Sequence, residues 1–237
     1  MKIALLGYGK MGHEVESMAI ANGHSIFLTI DNENDWIEKA EALSSCDVAI
    51  EFSLPANVEK NIYRCIEKNI PIVVGTTGWY SKLEQIKEFC NLNNGSLFYA
   101  SNYSIGVNIF FAINQKLAAL LEAYPVYMPE LVETHHLQKL DSPSGTAISL
   151  ANGIISANSH FNTYSENASA KEEIPVYSIR EGIVTGTHTV TWTSDIDKIS
   201  LTHEAFNRKG FALGAVLAAA WLQGRKGVFS MNDMLNL

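Results

Sequence analysis

The chain has 237 residues, 47% hydrophobic and 18% charged, a composition typical of a soluble globular enzyme with one domain or two modest ones. Its 17 Lys and Arg against 25 Asp and Glu give a net charge of −8, which argues against DNA or RNA as a partner. Cys46, Cys65 and Cys90 form no C-x-x-C pair, so we expect a reducing, cytoplasmic location and no disulfide framework. The longest apolar run, Phe211–Leu222, falls short of the roughly 18 residues that indicate a membrane span.

The first 104 residues alternate strand-like and helix-like segments. The apolar runs of strand length are KIALL, HSIFLTI, DVAIEF, PIVV and SLFYA. The predicted helices between them are Lys10–Asn22, Asp35–Leu43, Ala56–Asn69 and Ser81–Asn91. Near-continuous apolar strands interleaved with helices are typical of a parallel sheet covered on both faces. We therefore predict an α/β fold of the Rossmann type, with a doubly wound parallel sheet.

After residue 104 the pattern changes to that of an α+β domain. The predicted elements are a helix over Val107–Tyr124, a strand over Met128–His136, a helix from Pro143 to about Ser156, an exposed polar loop over Ala157–Glu173, two alternating strands in GTHTVTWTS and KISLTHEA, and a last helix over Gly210–Gln223. We predict that residues 105–206 are inserted into a dinucleotide-binding domain formed by residues 1–104 and 207–237.

A glycine motif follows the first predicted strand and opens the first helix. It has the form G-x-G-x-x-G and comprises Gly7, Tyr8, Gly9, Lys10, Met11 and Gly12. Such glycines allow a tight turn, a close approach of the backbone to pyrophosphate and close helix–strand packing. Asp31 lies 19 residues beyond Gly12 at the end of the second strand, where a carboxylate binds the adenosine ribose. The pattern predicts a nicotinamide dinucleotide as cofactor.

The choice between NADH and NADPH depends on the residues near Asp31. A 2′-phosphate favours an Arg there, and the next residue is the neutral Asn32, although Lys10 could meet a phosphate. We therefore expect NADH, with NADPH tolerated.

Two further loops follow strands and could line the nicotinamide half of the site. They consist of Gly75, Thr76, Thr77 and Gly78, and of Ala100, Ser101, Asn102 and Tyr103. Ligands of open parallel sheets bind beyond the carboxyl ends of the strands, where both loops lie, but ordinary βα turns would have the same spacing.

The densest group of reactive side chains is the segment ETHHLQKLDSPSGTA. His135 and His136 point to opposite faces of their strand unless the strand ends there, and Lys139 follows three residues later. A metal site at the two histidines lacks a further convincing ligand, so we expect none, and His188 is taken as structural. Arg180 and Arg208 are possible partners of the substrate or surface ion-pair residues.

The same segment also predicts a helix start. Ser142 is expected to be the N-cap and Pro143 the first helical residue, which leaves the N–H groups of Ser144, Gly145 and Thr146 free to bind a carboxylate. A plain capped helix would have the same spacing, but the nearby Lys139 and His136 favour a carboxylate-binding corner.

Four motifs in this order resemble the dihydrodipicolinate reductase family of diaminopimelate and lysine biosynthesis. They are GYGKMG, GTTG, ASNYSIGVN and ETHHLQKLDSPSGTA, which together span residues 7–146. The chain departs from the family pattern in a trimmed segment after Asp31 and in Lys10 and Asn32, where members often carry Arg.

The resemblance implies NAD(P)H-dependent reduction of 4-hydroxy-tetrahydrodipicolinate, a cyclic dicarboxylate, to tetrahydrodipicolinate. It implies that the inserted domain binds substrate and forms a homotetramer. Carried over by residue, His135 and Lys139 are the proton-transfer groups, while His136, Gly145 and Thr146 contact substrate, together with Ser144 from the helix start. The glycine motif, Asp31 and the GTTG and ASNY loops are implied to hold the cofactor.

The chemistry of the residues agrees with that implication. Hydride transfer to a conjugated imine builds negative charge that a proton must quench, and either His135 or Lys139 could supply it. Two alternatives remain: another two-domain NAD(P)-dependent oxidoreductase of an amino or semialdehyde acid, and a regulator that binds NAD(H) without turnover. The paired proton donors and the acidic net charge argue against the regulator.

Overall fold

The computed structural model describes residues 1–237, which form eleven strands and eight α-helices. In chain order they are β1 (Lys2–Leu6), α1 (Lys10–Ala21), β2 (Ser25–Ile30), α2 (Glu33–Lys39), β3 (Val48–Glu51), α3 (Pro55–Glu67), β4 (Ile72–Val74), α4 (Leu83–Leu92), β5 (Ser96–Tyr99), α5 (Ile105–Leu121), β6 (Met128–His135), α6 (Gly145–Ala157), β7 (Thr163–Ser165), β8 (Glu173–Arg180), β9 (Thr187–Thr193), β10 (Lys198–Glu204), α7 (Lys209–Leu222), β11 (Gly227–Phe229) and α8 (Met231–Leu235). No helix is long and apolar enough to cross a membrane.

The chain divides into two compact units. The first comprises Met1–Ile105 and Lys209–Leu237, and the second comprises Gly106–Arg208. The boundaries expected from sequence lie one or two residues away from these.

The first unit is built on a six-stranded parallel sheet. Its strand order is β11-β5-β4-β3-β1-β2, and every pairing is parallel. Ile3 and Leu5 join a core with α1 and α7, whereas Ala4 and Leu6 join a core with α3 and α4, so β1 is apolar on both faces. The expected doubly wound α/β fold is confirmed.

A close contact fixes α7 in this unit. A Cβ atom on Gly214 would lie 1.8 Å from the carbonyl oxygen of Tyr103, so only glycine permits this approach of helix and loop. The helix itself is rich in alanine and is buried along most of its length.

The second unit holds a mixed five-stranded sheet in the order β10-β9-β6-β8-β7. Strand β6 pairs parallel to β8 and antiparallel to β9. Helices α5 and α6 cover one face, where Leu131, Val176 and Trp192 pack in the core. The other face carries the half-buried threonines of β9.

Several short elements differ from the sequence expectation. The predicted loop over residues 157–173 contains β7, and β8, β11 and α8 were not anticipated. β7 and β11 have only three residues each, too few for alternation to be visible, and Pro175 interrupts the β8 pattern. The long helices begin and end within about three residues of their predicted bounds. The helix predicted over Asp35–Leu43 is wrong at its end, because α2 stops at Lys39 and a 3-10 helix, Ala40–Ser45, follows it.

Candidate active site

The glycine motif forms a tight turn at the carboxyl end of β1. Gly7 has φ of +90°, and a Cβ there would lie 2.3 Å from the carbonyl oxygen of Phe52. A Cβ on Gly12 would lie 2.6 Å from the carbonyl oxygen of Gly7, whereas one on Gly9 would meet nothing within 4 Å. The backbone at Gly9, the N-cap of α1, is therefore open to a ligand. These features fit the pyrophosphate of a dinucleotide, held at a helix N-terminus.

Asp31 lies beside that turn. Its Oδ1 accepts a hydrogen bond of 2.6 Å from the backbone N–H of Tyr8. Gly7, Asp31 and Asn32 line a common cleft, so the carboxylate stands where the adenosine ribose of a dinucleotide would bind. The side chains of Tyr8, Lys10 and Met11 lie on α1 and the turn before it: the Tyr8 hydroxyl donates to Glu16, while Met11 packs at the edge of the core.

The GTTG and ASNY loops each contain both buried and exposed residues. Gly78 has φ of +85°, and Gly75 packs against the ring of Phe52. Thr76 is buried, whereas Thr77 and Ser101 are exposed and Ala100 and Asn102 are half-buried.

Tyr103 is a core residue rather than a surface one. Its ring is buried, and its hydroxyl donates a hydrogen bond of 2.8 Å to the carbonyl oxygen of Val74. The side chain therefore has a structural role, and only its backbone remains a candidate for contact with the cofactor.

The centre of the second site is a buried carboxylate, Glu133 on β6. Its Oε1 accepts hydrogen bonds from the N–H of Ser144 at 3.1 Å and from the hydroxyl of Ser178 at 2.8 Å. The Arg180 guanidinium lies 3.4 Å from the same oxygen. Burial opposes ionisation, but the polar contact of His188 and the hydrogen bonds from Ser144 and Ser178 hold the pKa of Glu133 well below its usual range. Glu133 is therefore an anion within the protein.

His135 lies next to that anion. Its Nδ1 is 3.4 Å from Glu133 Oε2, without the geometry of a hydrogen bond, and His188 Nε2 is 3.5 Å from the same oxygen. A Cβ on Gly186 would lie 3.0 Å from His135 Nε2, so glycine leaves room for the ring. Burial, with the charges of neighbouring cations, lowers the pKa of His135 from 6.5 to about 4. The imidazole is therefore neutral at pH 7.

Lys139 lies on the loop after β6, and Arg180 holds that loop. The Lys139 ammonium contacts both oxygens of Asp141 at 2.7 Å. Arg180 donates to the backbone carbonyls of Lys139 and Asp141, at 3.4 and 2.7 Å. His136 lies in the turn between strand and loop, half-buried, with its carbonyl accepting from the N–H of Lys139. Arg180 thus holds the backbone of the loop that carries Lys139.

The helix start differs from the sequence expectation. Ser144, not Ser142, is the N-cap of α6, because its hydroxyl accepts from the N–H of Ala147 at 3.2 Å. The N–H of Ser144 is bound to Glu133 and so is not free for a ligand. Gly145 and Thr146, as the first two helical residues, have N–H groups without an intrahelical acceptor. The predicted anion corner is therefore reduced to these two.

His135, His188 and Glu133 form a group of side chains that could in principle coordinate a metal ion. Ligand atoms of Glu133, His135 and His188 all lie within 4.8 Å of one another. However, the positive charge of Arg180 stands 3.4 Å from Glu133 and opposes the binding of a dication. A site that works without metal remains our expectation.

Comparison with known proteins decides the family. Residues 1–103 match the family model described as dihydrodipicolinate reductase, N-terminus, and residues 106–235 match the one described as its C-terminus. The chain belongs to the dihydrodipicolinate reductase family. The family assignment confirms the expected reaction class, which is NAD(P)H-dependent reduction in lysine and diaminopimelate biosynthesis.

Individual dihydrodipicolinate reductases cover the whole chain. The 4-hydroxy-tetrahydrodipicolinate reductase of Christiangramia forsetii is 46% identical over 100% of this chain and 98% of its own length. That of Akkermansia muciniphila is 36% identical over 97% and 95%. A dipicolinate-bound dihydrodipicolinate reductase from Paenisporosarcina sp. TG-14 has the same fold, with a TM-score of 0.77, 23% identity and 99% coverage of both chains.

Three residues at the centre of this candidate site do not follow from the sequence analysis. Glu133 and Ser178 have no predicted role there, and His188 is predicted to be structural. Glu133 pairs with His188 across β6 and β9, and with Ser178 across β6 and β8. A period of two places Glu133 and His135 on one face of the strand, which was a usable signal, but the cross-strand partners depend on register.

Proposed function

We propose that this chain reduces 4-hydroxy-tetrahydrodipicolinate to tetrahydrodipicolinate, using a nicotinamide cofactor bound by the first unit and a proton from the loop after β6. The observation that carries the proposal is the set of side chains on β6 and the loop after it. Glu133 is a buried anion, His135 beside it is a neutral imidazole, and Lys139 is an ammonium paired with Asp141. The bound cofactor supplies the hydride. The protein's own residues hold the dicarboxylate and supply the proton.

Lys139 is the proposed proton donor. Hydride addition to the conjugated imine leaves negative charge that requires a proton. His135 has a pKa near 4 and is neutral at pH 7, so it carries no extra proton to give. Lys139 forms an ion pair with Asp141, and the third N–H of its ammonium is left for a substrate.

His135 is the proposed partner that orients the substrate by accepting a hydrogen bond at Nε2, while solvent returns a proton to Lys139. With Nδ1 directed at Glu133, Nε2 is the nitrogen left for the ligand. Glu133 is a positioning residue, because it favours the tautomer with hydrogen on Nδ1. Catalytic hydrogen bonds often tighten only in the substrate complex, which accommodates the 3.4 Å separation of Nδ1 and Oε2.

The substrate carboxylates are proposed to bind at the start of α6. The N–H groups of Gly145 and Thr146 face one carboxylate, and His136 and Lys139 lie nearby in sequence on the preceding loop. Ser144 contributes by capping the helix and by linking it to Glu133, rather than by direct contact.

NADH is the proposed preferred cofactor. Asp31 stands at the ribose position and its neighbour Asn32 offers no charge to a 2′-phosphate. The GTTG and ASNY loops are proposed to line the nicotinamide half.

The proposed assembly is a homotetramer formed by the second unit. The sheet face away from α5 and α6 exposes Tyr177 and Ile179, each 45% accessible, on β8. A groove of about 390 Å³ between α5 and β10 is lined by Ile113, Leu120 and Ile199. Such apolar surface is typical of a subunit interface. Light scattering of the wild-type chain and of Ile179→Glu tests this, with a smaller species expected for the variant.

A reducing, cytoplasmic location is also proposed. Cys46, Cys65 and Cys90 are all buried and unpaired, as expected for a protein that does not form disulfides.

The experiment that tests the function measures NADH oxidation with substrate made in place from pyruvate and aspartate semialdehyde by the preceding synthase. We expect oxidation that depends on the synthase product, and dipicolinate as a competitive inhibitor. Folded protein that binds NADH but oxidises none of it would refute the reductase assignment and favour a different substrate or a regulator.

A further inference from the structure

Two cations from α3 lie beside the cleft that contains Asp31. Lys60 lines that cleft together with Asp31, Asn32 and Glu33. Arg64, one helical turn further along α3, borders the adjoining hollow with Glu33. The positive charge near Asp31 therefore comes from Lys60 and Arg64, about thirty residues further along the chain.

Both cations are bound by one carboxylate, that of Glu33 at the start of α2. Arg64 Nη2 is 2.5 Å from Glu33 Oε1, and Arg64 Nη1 is 3.3 Å from Oε2. Lys60 Nζ is 3.2 Å from Glu33 Oε1. These ion pairs, led by that to Arg64, lower the pKa of Glu33, so its charge is present at neutral pH.

The two cations differ in how firmly they are held. The Arg64 guanidinium also lies 4.5 Å from the centre of the Trp36 ring, and its side chain is 25% exposed. The Lys60 side chain is 60% exposed and has Glu33 as its ion-pair partner. Lys60 is therefore the cation that a phosphate could recruit by displacing a single contact.

The charges at this place balance. Asp31, Glu33 and Asp35 are negative, Lys39, Lys60 and Arg64 are positive, and Asn32 is neutral. A ribose with a free 2′-hydroxyl adds no charge, whereas a 2′-phosphate adds nearly two negative charges. The phosphate would meet three carboxylates, and Lys39, Lys60 and Arg64 are each already paired with one of them.

We propose that Glu33 determines the choice of cofactor. It occupies Lys60, which one contact holds, and so closes a 2′-phosphate subsite that α3 already provides, while Arg64 stays against Trp36. This inference rests on the proposed binding of a nicotinamide dinucleotide by the first unit.

Equilibrium binding of NADH and NADPH tests the inference without turnover. Dissociation constants of both nucleotides are measured by calorimetry or cofactor fluorescence for the wild type, Glu33→Gln, Lys60→Met and the double variant. Glu84→Gln is the matched control, because Glu84 forms a comparable exposed ion pair with Lys87 on α4.

For Glu33→Gln we expect the dissociation constant of NADPH to fall by up to about fivefold, the upper limit for an exposed ion pair, while that of NADH stays unchanged. The double variant and Glu84→Gln are expected to match the wild type. The gain should shrink in about 0.5 M salt, where exposed charges are screened.

Three results would overturn the inference. They are an equal change for both nucleotides in Glu33→Gln, a gain that persists in the double variant, and a weaker binding of NADPH by Lys60→Met alone, which would show that Lys60 already serves the phosphate. Wild-type protein that binds neither nucleotide refutes the inference with the cofactor assignment. Protein that binds NADH without turnover refutes only the reductase function, and the four binding comparisons still decide the role of Glu33.

Discussion

Replacing Glu133 with Gln removes a charge that the second unit is built around. Glu133 is fully buried and accepts from Ser144 and Ser178, while Arg180 lies 3.4 Å away with its side chain 20% exposed. The amide keeps the shape but leaves the guanidinium without its anion. Breaking a buried ion pair costs about 3–5 kcal/mol, and partial exposure of Arg180 places our expectation at the lower end, about 3 kcal/mol.

That loss of stability is measurable as a shift in Tm. For a chain of this size about 1 kcal/mol corresponds to about 2–4 °C, so we expect Tm to fall by about 6–12 °C. Turnover should fall by about a hundredfold, the cost of a catalytic group displaced by about an ångström, because His135 loses the carboxylate that orients it. The dissociation constant of NADH should not change.

The control is Glu130→Gln, an exposed residue of the same strand on the opposite face. It should leave Tm and kcat as in the wild type. If Glu133→Gln retained wild-type Tm and kcat, the carboxylate would have neither the structural nor the positioning role. If it lost stability but kept kcat at a temperature where it is folded, the role would be structural alone, and rescue of kcat by Glu133→Asp would support positioning.

Three other outcomes follow from the same geometry. His135→Gln and Lys139→Ala should lose turnover while binding NADH as tightly as the wild type, which calorimetry checks; loss of NADH binding in both would remove them from the catalytic role. Because the pKa of His135 is about 4 when folded against 6.5 in the unfolded chain, stability should be complete above pH 6.5 and fall by up to about 3 kcal/mol as pH drops towards 4. The fall in Tm between pH 7 and pH 5 should be smaller in His135→Gln. Gly7 has φ of +90° and a Cβ there would lie 2.3 Å from a carbonyl oxygen, so Gly7→Ala should lower Tm by several degrees. Gly9→Ala should fold normally and bind NADH more weakly. Equal Tm values for the two variants would contradict this.

Motifs that act locally could be predicted from the sequence. The turn at Gly7 and the position of Asp31 follow from a single βαβ unit, in which spacing along the chain determines the geometry. The apolar runs of the first sheet are buried on both faces, so their pattern identified both the strands and the fold class.

Features that depend on register could not be predicted in the same way. Glu133 meets His188, 55 residues away, only because β6 and β9 pair with these two residues opposite each other. The cap of α6 was misplaced by two residues for a related reason. Ser142 and Ser144 are both suitable caps, and Glu133 holds the N–H of the second.

The discontinuity of the first unit has a consequence for synthesis on the ribosome. Its sheet ends with β11, which pairs with β5 and whose Gly227 N–H donates to the carbonyl of Gly95, just before β5; the inserted Gly106–Arg208 lies between the two strands in the chain. At about 10 residues per second, the side of β5 that β11 covers stays unpaired for roughly 13 seconds. The inserted unit is complete before that edge is covered. Folding of the cofactor-binding half therefore depends on Lys209–Leu237, which are synthesised after the inserted unit.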